Sequence, residues 1–183
     1  MVFSFLKDKF SKKEEKSYDD ITNLTVKNLD VGFIFDYETE TWQVTAKNRY
    51  ETDEGEYFEM EIKSSTEVCF LEQGDEDRHT WLITKKIPIG KIGGNVRAHI
   101  KKNQDPPDTI TYEDVEYYLD ETTDGHFFKD CEGEGDPFIA WTFLDDDEKH
   151  QISIEQWGET EFEASFGEEV EEFRFMNILP SSK

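Results

Sequence analysis

Side chains that could attack, ligate or exchange protons are scattered along this 183-residue chain. His79, His99, His126 and His150 follow no HxH, HxxxH or HExxH spacing, and Cys69 and Cys131 stand far apart with no CxxC, so no zinc signature forms. Each histidine reads as a surface or turn residue. No GxSxG elbow occurs, no GxGxxG, and no GxxxxGK followed by Ser or Thr; Gly90-Lys91-Ile92-Gly93-Gly94 lacks P-loop spacing. Cys131 sits in the acidic stretch 130–134, where its neighbours disfavour a thiolate. The run Asp145–Glu148 lacks the alternating ligands and mid-loop glycine of a calcium loop. Glu132–Asp136 reads as an acidic turn that repels phosphate. The expectation is therefore a non-enzymatic protein, with no catalytic, cofactor-binding or metal-ligating residue.

Charge narrows the partners. The formal net charge is −24, from 20 Lys and Arg against 44 Asp and Glu. This excludes simple electrostatic binding to nucleic acid, which needs a basic footprint, and it disfavours the body lying on an anionic membrane. Aromatics make up 14% of the chain, more than a disordered chain carries, so it folds. The charge is graded: five basic and three acidic residues over 1–16, 11 and 18 over 17–105, then four and 23 over 106–183, a net of −19 in the last segment.

The basic head carries Val2, Phe3, Phe5, Leu6 and Phe10 on one arc of a helical wheel. A short amphipathic helix is expected, with Phe3, Phe5, Leu6 and Phe10 as candidate contacts to a membrane or partner through residues 1–13. Lys9 and Lys13 interrupt the arc, so the simpler reading packs these phenylalanines on the body.

The elements that would position any site are strands. Phe33, Phe35 and Tyr37 alternate, Trp42 and Val44 follow, and Tyr57, Met60 and Ile62 come after a turn. Turns are expected at Glu54–Gly55, Gln73–Asp75 and, as a hairpin, Asp124–Gly125. Part of the basic island 95–105 is expected to be helical, and Pro106–Pro107 end that half. Trp42, Trp81 and Trp141 read as core; Trp157, between Gln156 and Gly158, reads as a turn residue and a candidate partner contact.

The halves echo each other. Residues 37–44 resemble 112–119, 55–62 resemble 135–143, and the Leu/Ile-Glu-Gln triplets 71–73 and 154–156 precede Gly-bearing turns. The fold class expected is mainly β: two related antiparallel lobes, open-barrel or sandwich-like, from an internal duplication. The divisions are a head and linker over 1–23, a first lobe over 24–104 and a strongly acidic second lobe over 105–183.

The segments VGFIFDYETETWQV, EVCFLEQ, PPDTITYEDVEYYLDE, FIAWTFLDDDEKHQISIEQWGETEFEASFGEEV and FRFMNILP together resemble the bacterial domain of unknown function 4178, over residues of about 24 to 180. The resemblance implies a cytoplasmic, β-rich protein. Members are often encoded beside phage-shock-protein-A-like membrane-remodelling proteins, small membrane proteins and polyamine-synthase-like proteins. It implies an accessory role at the membrane or in envelope stress, and no catalytic residues to carry over.

Three readings follow. The first is an interaction module whose acidic face meets a basic protein partner, cytoplasmic with peripheral contact at the inner membrane face. The alternatives are an acidic DNA mimic, which would inhibit a nucleic-acid-binding protein, and a polyamine binder whose acidic cleft has aromatic walls.

Overall fold

Alternating apolar residues become strands because a pleated strand points successive side chains to opposite faces. The computed structural model describes residues 24–74 and 78–180. It contains β1 (Ile34–Tyr37), β2 (Glu40–Thr52), β3 (Gly55–Lys63), β4 (Val68–Gln73), β5 (Thr80–Lys86), α1 (Val96–Asn103), β6 (Thr109–Tyr112), β7 (Val115–Phe128), β8 (Asp136–Leu144), β9 (His150–Gln156), β10 (Phe162–Glu171) and β11 (Met176–Leu179). The head lies outside the described residues, and with it Phe3, Phe5, Leu6 and Phe10.

All eleven strands join one antiparallel sheet in the order β11-β1-β2-β3-β4-β5-β10-β9-β8-β7-β6. A further pairing, Arg49–Thr52 of β2 with Gly125–Phe128 of β7, closes eight of these strands into a ring. Closure rests on four residue pairs, and β1, β11 and β6 extend outside it, so the ring is an incomplete barrel. The two expected lobes are thus parts of one continuous sheet.

Hydrophobic packing lies outside this ring. Trp42 and Val44 of β2, Met60 and Ile62 of β3, Leu71 of β4 and Trp81 of β5 form one cluster with Val26, Leu29, Phe35, Tyr37 and Phe175. On the other side Trp141, Phe143, Ile152 and Ile154 of β8 and β9 pack with Ile92, Val96 and Ile100 around α1 and with Ile110 and Tyr112 of β6. Each cluster draws on both halves of the chain: Val170 and Phe175 complete the first, Ile92, Val96 and Ile100 the second. The apolar outer faces are thereby covered by the chain's own appendages.

The helix expected in the basic island is α1. It buries Val96 and Ile100 and ends at Gln104, whose left-handed backbone (φ 61°) lets its N–H donate to the Ile100 carbonyl at 2.7 Å. Lys101 and Lys102 fall in its last turn, where the helix dipole favours cations. Among the described residues no helix is long and apolar enough to cross a membrane.

One turn assignment is corrected. Asp124–Gly125 is no hairpin; β7 runs straight through it. A Cβ on Gly125 would lie 2.2 Å from the Glu51 carbonyl oxygen. The glycine serves the close approach of β2 and β7 that closes the ring.

Candidate functional site

Two bulges aim side chains into the ring. Between Val44 and Ala46 on β2 the register slips by one residue, so Val44 stays on the outer, apolar face opposite Ile62 while Ala46, Asn48 and Tyr50 turn inward. β7 slips in the same way between Leu119 and Glu121, leaving Leu119 opposite Phe143 outside and bringing Glu121 opposite Thr142 inside. Around the ring the antiparallel registers then keep one face inward: Glu59 beside Glu72, Lys86 beside Ser165, Ser165 beside Ser153, and Ala140 beside Glu155.

The result is a polar lumen of about 420 Å³, lined by residues of all eight ring strands. A further recess of about 580 Å³ shares Tyr50, Glu59 and Lys86 with it and opens beside Trp157. Polar residues inside and apolar residues outside invert the usual arrangement of a small barrel, whose interior is filled by side chains.

Carboxylates dominate the lumen. Glu59 is 6% exposed and accepts one hydrogen bond, from the Asn48 amide at 2.9 Å; Asn48 in turn accepts from the Asp130 N–H at 3.1 Å. Glu72, directly across from Glu59, accepts none among the described residues. Burial pushes the Glu59 carboxyl up to about 7 despite that hydrogen bond and the nearby Lys86, and Glu155 adds to the rise. Burial, then Glu59 and Glu155, push Glu72 up to about 8. Lys86 is the lumen's cation. Its ammonium meets Glu163 at 2.8 Å and Glu155 at 3.2 Å, and lies 5.4 Å from the centre of the Phe70 ring. Burial alone would lower its pKa, but Glu155 and Glu163 more than offset this and raise it.

Aromatic rings close one end. Tyr50 stacks on Tyr57 with centroids 4.8 Å apart, and contacts Phe127 at 4.9 Å and Phe138 at 5.2 Å. Trp157 completes the group at 5.3 Å from Phe127 and 5.5 Å from Phe138. Tyr50 is 4% exposed and lines the lumen, and its hydroxyl has no hydrogen-bond partner among the described residues. Burial first, then Glu155, Glu59 and Glu72, hold that phenol in its protonated form. Trp157, expected at an open turn, is half-buried, and its indole N–H is buried without a partner.

The residues weighed for chemistry stay apart. His79 lies in a turn, His99 on α1 and His126 on β7, while His150 bonds Asp145 through Nδ1 at 2.7 Å. Asp145 also accepts from the Lys149 and His150 N–H groups, which makes the acidic run a hairpin cap. Cys69 and Cys131 are free thiols: burial pushes Cys69 up to about 11, and Cys131 Sγ donates to the Lys47 carbonyl at 3.3 Å. Among the described residues no group of three or more His, Cys, Asp or Glu gathers closely enough to hold a metal ion.

Sequence reasoning missed the lumen. Its carboxylates alternate with apolar residues like any solvent-facing strand, so nothing in the pattern marks them as interior. One signal was available: the matched Leu/Ile-Glu-Gln triplets contain Glu72 and Glu155, and both face the cavity.

A family model described as domain of unknown function (DUF4178) matches residues 30–172. An uncharacterized protein of Aquifex aeolicus (strain VF5) is 29% identical over 175 residues, covering 96% of each chain. No solved structure matches.

Proposed function

The chain belongs to the family described as domain of unknown function (DUF4178), and from that premise we propose that it is a non-enzymatic binding module that holds a small organic cation in its lumen. One observation carries this reading: Glu59, Glu72 and Glu155 converge, with the unpartnered Tyr50 hydroxyl, on a single cavity of about 420 Å³. Carboxylates taken out of water need a cation or a proton to offset them. The donors are too dispersed for one metal ion, which points to an organic cation whose charge and hydrocarbon occupy different parts of the cavity. Tyr50 and Tyr57 supply the aromatic wall against which such a cation packs.

This reading develops the polyamine-binding alternative drawn from charge. Carboxylates that face inward are screened from a macromolecule's surface, so they lend support to a small ligand in preference to a basic protein partner or DNA mimicry. Calorimetric titration with spermidine at physiological salt tests it. Saturable heat that is lost in Glu155→Gln supports the lumen as the site; only weak, non-saturating heat would end the reading.

The strand order also supports an origin by duplication. β1 to β5 and β6 to β10 follow the same sequence, and the ring is joined by β5 with β10 and β2 with β7, the antiparallel pairs that a twofold axis makes of equivalent strands. Both bulges fall at matching places, Val44/Ala46 and Leu119/Glu121.

A further inference from the structure

Glu59 and Glu72 sit directly opposite each other on neighbouring antiparallel strands, a relation that places Cβ atoms about 5 Å apart on one face. Like charges so placed repel, and in a buried site one of two such carboxyls keeps its proton. Lys86, engaged with Glu155 and Glu163, offsets only part of this repulsion. Among the described residues no donor beyond Asn48 relieves it, and Asn48 donates to Glu59. The other groups facing the pair are Tyr50 from β2, Tyr57 from its own strand, Glu155 from β9 and Glu121 from β7. They are neutral phenols or further carboxylates.

We infer that the Glu59–Glu72 pair is a proton-for-ammonium exchange site: the empty pair holds one proton, and the terminal ammonium of a ligand takes that proton's place. The inference rests on the cation-binding reading of the lumen and adds the ligand's end group and its regulation by pH. The exchange balances. One carboxylic acid and one carboxylate meet an R–NH3+ group; the acid's O–H bond breaks, its proton leaves to solvent, and the ammonium N–H groups donate to both carboxylates. Empty or loaded, the pair and its occupant carry one net negative charge.

The end group follows from the unmet acceptors. Among the described residues neither the Glu72 carboxylate nor the Tyr50 hydroxyl has a hydrogen-bond partner, and both line the lumen. A primary ammonium has three donors to meet them, whereas a quaternary ammonium has none. Lys86 displays the same chemistry a few residues away, one ammonium shared by two glutamates beside an aromatic ring.

The test is calorimetric titration of the full chain with 1,4-diaminobutane, in two buffers of different ionisation enthalpy, from pH 6.0 to 8.5. Close to one proton is released per ligand bound near pH 7.5, more toward pH 6.0 and fewer toward pH 8.5. Apparent affinity rises about tenfold per pH unit where one proton is released. Glu72→Gln and Glu59→Gln each bind more weakly, with less proton release and a shallower pH profile than the natural chain, and tetramethylammonium gives no saturable heat. If a glutamine variant does not fold, the two-buffer comparison on the natural chain decides alone. Saturable binding with equal heats in both buffers overturns the exchange and leaves the cation reading standing. Absence of saturable binding by any amine, spermidine included, overturns both.

Discussion

Gly125 is where a single atom governs the fold. A methyl group there meets a backbone carbonyl, which cannot rotate away as a side chain could. Gly125→Ala should therefore cost about 1–3 kcal/mol, the usual range for forced overpacking. The loss should appear as a lower urea midpoint and as faster amide exchange at Tyr50 and Phe127, on either side of the closure. An unchanged midpoint would mean that β2 and β7 can separate at no cost. Glu72 makes the opposite case. Its carboxyl is held up to about 8 against 4.5 for an ordinary glutamate, as Glu59 is held up to about 7. Between those values and 4.5 the folded chain binds more protons than the unfolded one, so these groups weaken the fold as pH rises through that window. Replacing Glu72 by Gln removes the penalty. The variant should melt about 3 °C higher than the natural chain at pH 8 and close to it at pH 5; a variant that melts lower at pH 8 would show that the carboxylate is paired.

At the scale of elements, the ring is held by two hydrophobic clusters on its outside. Phe35, on β1, and Phe143, on β8, are each fully buried, one per cluster. Truncation of either to Ala should cost about 3–5 kcal/mol. The two clusters share no residue, so the double variant should lose close to the sum of the single losses, measured by denaturant unfolding. A large departure from additivity would mean that the clusters communicate through the sheet. Trp157 tests a different element. It caps the aromatic end of the lumen from the β9–β10 turn, and its substitution by Ala removes contacts to Phe127 and Phe138. A stability loss of about 2 kcal/mol together with faster amine entry is expected, read by unfolding and by stopped-flow. A full loss of amine binding instead would place Trp157 in the site itself.

At the scale of the molecule, much of the fold is legible in the sequence. Alternation predicted the strands: Phe33–Phe35–Tyr37, Trp42–Val44 and Met60–Ile62 all take the faces that their period demands. The turns at Glu54–Gly55 and Gly74 followed from residues that tolerate tight bends, and α1 from the break in alternation after Gly94. Resemblance placed the chain in its family. Asp124–Gly125 misled, because a dipeptide that suits a hairpin turn suits an intimate strand pairing just as well. The self-repulsion of a charge of −24 is likewise a property of the whole. Stability should rise between 20 and 300 mM salt as exposed carboxylates are screened, and thermal melts across that range would check it.

The sequence by itself determined the period of the strands, the acidity and the family, because each is written in neighbouring residues or in plain counts. Only the tertiary structure decided where the acid goes. Period two says that a strand has two faces and that one is polar, but it does not say whether the polar face looks at bulk water or at seven other strands. That choice is made by pairings between residues far apart in the chain, β5 with β10 and β2 with β7. Those pairings leave Glu59, Glu72 and Glu155 facing one another across a cavity.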